Sequence, residues 1–345
     1  MKTIAIHGFG RIGRTTLRIA LSEKLFVPSS ISDIKDIATL AALFEVDSCY
    51  GRWPHNVGFE MNINGRSCFI IGIDSPDKRS EYPFYIDSSK ELPDWKKLGV
   101  DVVIDCTGRA TTRENAQKHI DRGAKKVLVS APPKTLEDCD AILLRGINLE
   151  SYDPLKHHIV SMASCTTNAL APVVKVLEKN LGIVSGFFST VHAYTNTQSL
   201  TDQPMKDRRD SWAATENITP STSGAAKALK FIWPNLNITG KAYRVPVKTG
   251  SIVELNVILG SKTTLEQIKN IFRDAAKGEL LQVLGVLEEE YASSRIVGES
   301  HSSIVDLPLM QILDGNHVSI PIWYDNEWGY ATRLAETARF IAVNS

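Results

Sequence analysis

Gly8-Phe9-Gly10-Arg11-Ile12-Gly13, close to the start of the chain, is a GxGxxG stretch. It follows the apolar run Thr3-Ile4-Ala5-Ile6-His7. Behind it, Ile12, Leu17, Ala20 and Leu21 recur at helical spacing. The glycines therefore occupy a strand-to-helix turn. Asp33 stands about 20 residues beyond the last glycine, at the end of a second strand, where a dinucleotide fold keeps its acidic residue. Each position has its own task. Gly8 permits the tight turn, Gly10 lets the backbone approach a pyrophosphate, and Gly13 lets the helix pack close to the strand. The free N–H groups at Arg11 and Ile12 and the helix dipole attract the anion. Asp33 accepts hydrogen bonds from ribose hydroxyls and repels a 2′-phosphate, which favours NAD over NADP. FAD shares the fingerprint, but nothing else in the chain suggests flavin chemistry.

Outward from this loop, strands alternate with helices. Asp101-Val102-Val103-Ile104-Asp105 and Lys126-Val127-Leu128-Val129-Ser130 are runs of the kind buried in a parallel sheet, and the segment from Arg113 to Ile120 between them reads as a helix. Ile63-Asn64-Gly65-Arg66 predicts a β-hairpin turn. After a helix from Thr166 to Lys179 the character changes. Strands at Gly186 to Ala193, Ile252 to Gly260 and His317 to Tyr324 alternate with helices at Gly224 to Phe231 and Thr263 to Lys277, and the tail from Tyr330 to Val343 is helical. The expected fold is α/β: an N-terminal doubly wound Rossmann domain over 1–164, completed by a C-terminal helix over 327–345. An α+β catalytic domain with a mostly antiparallel sheet occupies 165–326.

A chain of 345 residues exceeds one ordinary hydrophobic core, which agrees with two domains. Its 39 basic and 39 acidic side chains cancel, so no net field draws it to nucleic acid. The N-terminus lacks the apolar core of a signal peptide, and no stretch is long enough to span a membrane. The five cysteines, Cys49, Cys68, Cys106, Cys139 and Cys165, show no CxxC spacing, so neither a disulfide framework nor a metal site is expected; a reducing cytoplasm fits.

Ser161-Met162-Ala163-Ser164-Cys165-Thr166-Thr167-Asn168 places Cys165 at the start of an apolar-periodic helix. The dipole there is expected to lower the thiol pKa. His192 ends the strand that follows, so an imidazole can return beside the sulfur as its base. This pair alone is also compatible with a papain-like hydrolase, which has no use for a dinucleotide loop.

GFGRIGR, the SxxSCTTN stretch around Cys165, TVHAYTNTQ, SGAAKA, RVPV and WYDNEWGY follow one another along nearly the whole chain. Together they resemble the glyceraldehyde-3-phosphate dehydrogenase family. The resemblance implies a homotetramer that uses NAD, a phosphorylated aldehyde and inorganic phosphate; the neutral charge and the lack of a long apolar stretch speak against nucleic acid as a main role and against a membrane partner. It implies Cys165 as nucleophile through a hemithioacetal and a thioester, with His192 as base and oxyanion donor. Asn326 would hold the nicotinamide carboxamide; Thr107, Gly108 and Ser130 would line the cofactor cleft. Thr195 and Arg244 match the substrate-phosphate site, and Ser164, Thr166, Ser223 and Gly224 the inorganic-phosphate site. Erythrose-4-phosphate dehydrogenase and a non-catalytic NAD-binding protein are the alternatives.

Several positions depart from the family pattern. His7 and Ser32 replace asparagines beside the cofactor loops, Ala169 replaces a second cysteine, and Ser223 replaces a threonine. Pro204 matches a proline typical of NAD-using members, whereas Thr197 differs from a common aspartate. In Lys206-Asp207-Arg208-Arg209-Asp210-Ser211-Trp212, Asp210 occupies the place of a phosphate-contacting arginine and Trp212 that of an interface arginine. A carboxylate near a phosphate is expected to cost about 1 kcal/mol of binding.

Overall fold

The computed structural model describes residues 2–345 apart from 64–65, 76–77 and 87–90, and only the backbone within 60–86. Asn64 and Gly65 of the expected hairpin turn therefore lie outside the described residues. The chain divides into two compact units, Met1–Leu143 with Glu150–Ala163 and Ala331–Ser345, and Leu144–Leu149 with Ser164–Tyr330.

In the first unit, β1 (Ile4–His7) leads into α1 (Arg11–Ser22), β2 (Ser30–Asp33) and α2 (Ile37–Glu45). A short hairpin, β3 (Val46–Asp47) with β4 (Gly51–Arg52), precedes β5 (Val57–Ile63), β6 (Arg66–Ser75) and β7 (Lys78–Ile86). Then come α3 (Trp95–Leu98), β8 (Val102–Asp105), α4 (Arg113–Asp121), β9 (Lys126–Val129), β10 (Ala141–Ile142) and β11 (Ile159–Ser161). The sheet order is β10-β11-β9-β8-β1-β2-β7-β6-β5. The strands from β10 to β7 run parallel, and β7, β6 and β5 form an antiparallel extension that the sequence announced only at its turn. The central parallel strands β1, β8 and β9 carry apolar runs because both faces are covered; Ile4, Ile6, Val102, Val103, Val127 and Leu128 are all buried.

The chain order reverses between β1 and β8, which creates the switch-point crevice of a doubly wound sheet. Register aligns the crevice wall: His7 pairs with Ser32 on one side and Asp105 on the other, and Asp105 pairs with Val129. Gly8, Asp33, Thr107 and Ser130 therefore emerge at the same edge.

The second unit contains α5 (Cys165–Asn180), β12 (Ile183–Ala193), β13 (Thr219–Thr222), α6 (Ala225–Ile232), β14 (Ile238–Val245), β15 (Ser251–Leu259) and α7 (Leu265–Lys277). It continues with β16 (Leu284–Leu287), β17 (Ser303–Asp306), β18 (Gln311–Leu313) and β19 (His317–Tyr324); α8 (Trp328–Asn344), which closes the chain, belongs to the first unit from Ala331 onward. Its sheet order is β13-β14-β12-β15-β19-β17-β16, with β18 on β19. Most pairs are antiparallel, but β12–β14 and β16–β17 are parallel. The alternating burial of Ser251–Leu259 shows one face, with Val253, Leu255 and Val257, turned to the core, and α5 packs near this strand. Each such side chain removed from water contributes about 1.5–3 kcal/mol before ordering costs.

Candidate active site

In the first unit, the three glycines of the loop differ in what surrounds them. A Cβ on Gly8 (φ +90°) would meet Thr107 N at 2.8 Å, so β1 turns directly against the end of β8. A Cβ on Gly13 would meet the Gly8 carbonyl oxygen at 2.1 Å, so α1 packs tightly onto its own entry turn. Gly10 caps α1 and borders open space, and a Cβ placed there would find no atom within 4 Å. The protein's own packing does not require a glycine at this position. The N–H groups of Arg11 and Ile12 open the helix, while the Arg11 guanidinium is tied to Asp47 at 3.1 Å.

Asp33 accepts from Phe9 N at 2.6 Å and from Lys35 N at 2.9 Å, so it fixes the glycine loop and retains lone pairs for a hydroxyl donor. Thr107 donates its N–H and its hydroxyl to Asp105, and Gly108 (φ +71°) turns the chain away. Ser130 N donates to the Asp105 carbonyl at 2.9 Å. These groups form a cradle that fits a dinucleotide.

Beneath the crevice lies a buried polar chain. Trp95 Nε1 donates to His119 Nδ1 at 3.1 Å, so the His119 proton sits on Nε2 and points at Asp105 Oδ2, 3.0 Å away. His7 Nδ1 bonds Ser32 Oγ at 2.9 Å. Ligand atoms of His7, Asp105 and His119 come within 4.8 Å of one another. This tautomer leaves His119 without a free lone pair, so the cluster serves as a hydrogen-bonded brace and not as a metal cage. Burial, with His119 and Arg109 nearby, holds His7 down to about 4 despite Asp105 and Asp33.

In the second unit, Ser164 caps α5 by accepting from Thr167 N at 3.1 Å, and Ala163 before it takes φ +53°. The resulting turn presents Cys165 at the first helical position. Its Sγ lies 3.4 Å from His192 Nε2 at the end of β12. His192 Nδ1 is 2.6 Å from the Ala193 carbonyl and close to Arg244 Nη1, which also donates to that carbonyl. A proton on Nδ1 serves the carbonyl and leaves Nε2 as the acceptor for the thiol.

The thiol does not have the lowered pKa expected of a helix N-terminus. Burial pushes it up, outweighing the Arg244 charge and the hydrogen bonds at Thr166. Burial and Arg244 likewise hold His192 down to about 3. Both shifts favour the thiol and the neutral imidazole.

Two family matches bear on this pair. Residues 2–113 match the family model described as glyceraldehyde 3-phosphate dehydrogenase, NAD binding domain, and 164–326 match its C-terminal domain. The chain belongs to the glyceraldehyde-3-phosphate dehydrogenase family. It is 43% identical over 349 residues to glyceraldehyde-3-phosphate dehydrogenase of Kitasatospora aureofaciens, covering 99% of this chain and all of that one. It is 41% identical over 341 residues to that of Geobacillus stearothermophilus, with 98% of each covered. Glyceraldehyde-3-phosphate dehydrogenase 1 of Bacillus subtilis is 38% identical over 344 residues, again with 98% of each covered.

The phosphate positions expected of the site, and Asn326, lie in the same unit as Cys165 and His192. His192 and Arg244 are register partners on β12 and β14. Thr166 Oγ1 bonds Tyr324 Oη at 3.1 Å, and Thr195 Oγ1 bonds Thr197 Oγ1 at 3.0 Å. Ser223 accepts from Ala225 N, and Gly224 caps α6, which packs against α5. Asn326 is buried, and its Oδ1 accepts from Ser251 Oγ at 2.9 Å, which leaves its amide N–H groups for another partner.

Three residues without an assigned role connect these groups. Tyr324 Oη bridges Thr166 on α5 and Thr190 on β12, and its ring meets His192 edge-on at 5.9 Å. Ser251 joins Ala193 N to Asn326, and Asp47 anchors Arg11. Only Tyr324 had a sequence signal, its place inside WYDNEWGY.

Proposed function

We propose that the chain oxidises D-glyceraldehyde 3-phosphate with NAD and inorganic phosphate, giving 1,3-bisphosphoglycerate and NADH. The carrying observation is the 3.4 Å approach of Cys165 Sγ and His192 Nε2 in a chain of this family. The glycine turn from Gly8 to Gly13, with the N–H groups of Arg11 and Ile12, would hold the pyrophosphate, and Asp33 the adenosine ribose. Thr107, Gly108 and Ser130 would line the cleft, and Asn326 would offer its amide to the nicotinamide carboxamide. When bound, NAD supplies the hydride acceptor that converts the hemithioacetal to a thioester.

Every other step belongs to the chain's own groups. His192 Nε2 takes the Cys165 proton as sulfur adds to the aldehyde carbon. The same nitrogen, now protonated, faces the developing oxyanion. An oxygen of inorganic phosphate then attacks the thioester, the carbon–sulfur bond breaks, and Cys165 leaves as the thiolate. Thr195 and Arg244 would hold the substrate's phosphate, since a guanidinium can grip it with two parallel bonds. Ser164, Thr166, Ser223 and Gly224 would surround the attacking phosphate.

The proposed assembly is a cytoplasmic homotetramer. Among the described residues no helix is long and apolar enough to cross a membrane. Phe187 and Ile258 are exposed on neighbouring strands of the second unit's sheet, and Ile218 and Trp212 are exposed elsewhere in that unit, which is apolar surface a second copy can cover.

The test is NADH formation from glyceraldehyde 3-phosphate, with the acyl phosphate trapped as a hydroxamate. Rates requiring both the triose phosphate and inorganic phosphate are expected. A preference for erythrose 4-phosphate, or indifference to phosphate, would contradict the assignment.

A further inference from the structure

Asp210 lies in the short 3-10 turn Arg208–Ser211, which packs against β13. Thr219 on β13 is the register partner of Arg244 on β14. The Asp210 carbonyl accepts from Ser199 N at 3.2 Å, and neighbouring Gln198 accepts through Oε1 from Thr195 N. The turn is thus built into the same shell as Thr195 and Arg244.

Among the described residues, the Asp210 carboxylate makes no hydrogen bond or ion pair. Arg208 and Arg209 of the same turn are exposed, and Asp207 spends its carboxylate capping the turn through Arg209 N. Asp210 is half-buried. Burial and Asp207 push its pKa up while the Arg244 charge pulls it down. Arg244 itself lies against His192 Nδ1 and the Ala193 carbonyl. The Asp210 carboxylate therefore lies within the field of the Arg244 guanidinium without a hydrogen bond to it.

We infer that Asp210 is a specificity-determining residue of the pocket around Arg244, where its carboxylate opposes a dianionic distal group and narrows the preference for phosphorylated over unphosphorylated aldehydes. This rests on the reading of Arg244 as the substrate-phosphate residue. A phosphate entering beside Arg244 brings two negative charges into the field of a third. A neutral or singly charged distal group meets a smaller penalty at the same position.

The experiment compares KM and kcat of wild type, Asp210→Asn, Asp210→Glu and Arg244→Ala, each with glyceraldehyde 3-phosphate and with unphosphorylated glyceraldehyde. Asp210→Asn keeps the shape and removes the charge. It is expected to lower KM for the phosphorylated aldehyde about fivefold relative to the unphosphorylated one, with the change in KM and not kcat. Asp210→Glu retains the charge and is expected to keep the wild-type ratio, which separates charge from packing. A ratio unaltered or reduced in Asp210→Asn overturns the inference. If Arg244→Ala raises KM equally for both aldehydes, the underlying reading of Arg244 fails instead. Thermal midpoints identify a variant that misfolds, and Asp210→Gly then supplies the neutral side of the comparison.

Discussion

Ser251 Oγ donates to Asn326 Oδ1 at 2.9 Å, and the same oxygen accepts from Ala193 N at 3.1 Å. One hydroxyl therefore joins the residue after the base to the amide proposed to hold the nicotinamide. It also fixes which way that amide faces, because a hydroxyl proton directed at Oδ1 leaves the N–H side free. Ser251→Ala removes this bond and leaves only the longer 3.4 Å contact from Thr249. The expected outcome is a roughly fivefold weaker NAD affinity, from a bond worth about 1 kcal/mol. Calorimetric titration with NAD checks it; an unaltered dissociation constant would remove Ser251 from the site.

Tyr324 ties the helix carrying Cys165 to the strand carrying His192 through Thr166 and Thr190. Tyr324→Phe keeps the ring and strands two buried hydroxyls. A stability loss of about 1–3 kcal/mol is expected, with turnover falling on the order of tenfold as the sulfur–imidazole geometry loosens. Chemical denaturation and kcat measured on one preparation decide it. Lost stability with full turnover would make the bridge structural only.

Gly10 and Gly13 make opposite predictions within one loop. Gly13→Ala drives a methyl group to 2.1 Å from a backbone oxygen and is expected to cost about 3 kcal/mol or more, or to prevent folding. Gly10→Ala meets nothing in the protein and has an ordinary φ of −70°, so stability should change by less than about 1 kcal/mol. NAD affinity should nevertheless fall at least tenfold, because the methyl group occupies the pyrophosphate's approach. Undiminished affinity in Gly10→Ala would contradict the proposed cofactor position.

His7 supplies a pH signature. Its folded pKa of about 4 lies below the unfolded value of 6.5, because burial disfavours the cation. The unfolded chain therefore binds a proton that the folded chain refuses. The neutral-histidine contribution is fully present above 6.5 and is lost as pH falls toward 4. At pH 5 this amounts to about 2 kcal/mol. His7→Asn is expected to flatten the stability profile between pH 7 and pH 5 by that amount. Equal acid sensitivity in both proteins, followed by denaturant midpoints, would refute a neutral His7.

The glycine loop was legible because its physics is local: turn, helix start and acidic strand end lie in one continuous segment. Cys165 was legible for the same reason, standing beside its own cap, Ser164. Ser251 and Thr190 were not, and Tyr324 was marked only by its place inside WYDNEWGY, because their contacts exist only once β12, β15 and β19 pair in register, and no spacing along the chain encodes that order. The parallel pairing of β12 with β14 was equally hidden, although it sets Arg244 beside His192. The direction of the Cys165 pKa shift was misjudged because a helix terminus can be read from sequence and burial cannot.

The most direct test of the central claim, that Cys165 and His192 act as one unit on an aldehyde, is rapid mixing of enzyme, NAD and glyceraldehyde 3-phosphate without inorganic phosphate. A burst of NADH equal to the active sites is predicted for wild type. It should be absent in Cys165→Ser, which still binds NAD, and slowed at least a hundredfold in His192→Asn. A full burst from Cys165→Ser, or an undiminished burst rate in His192→Asn, would contradict the account.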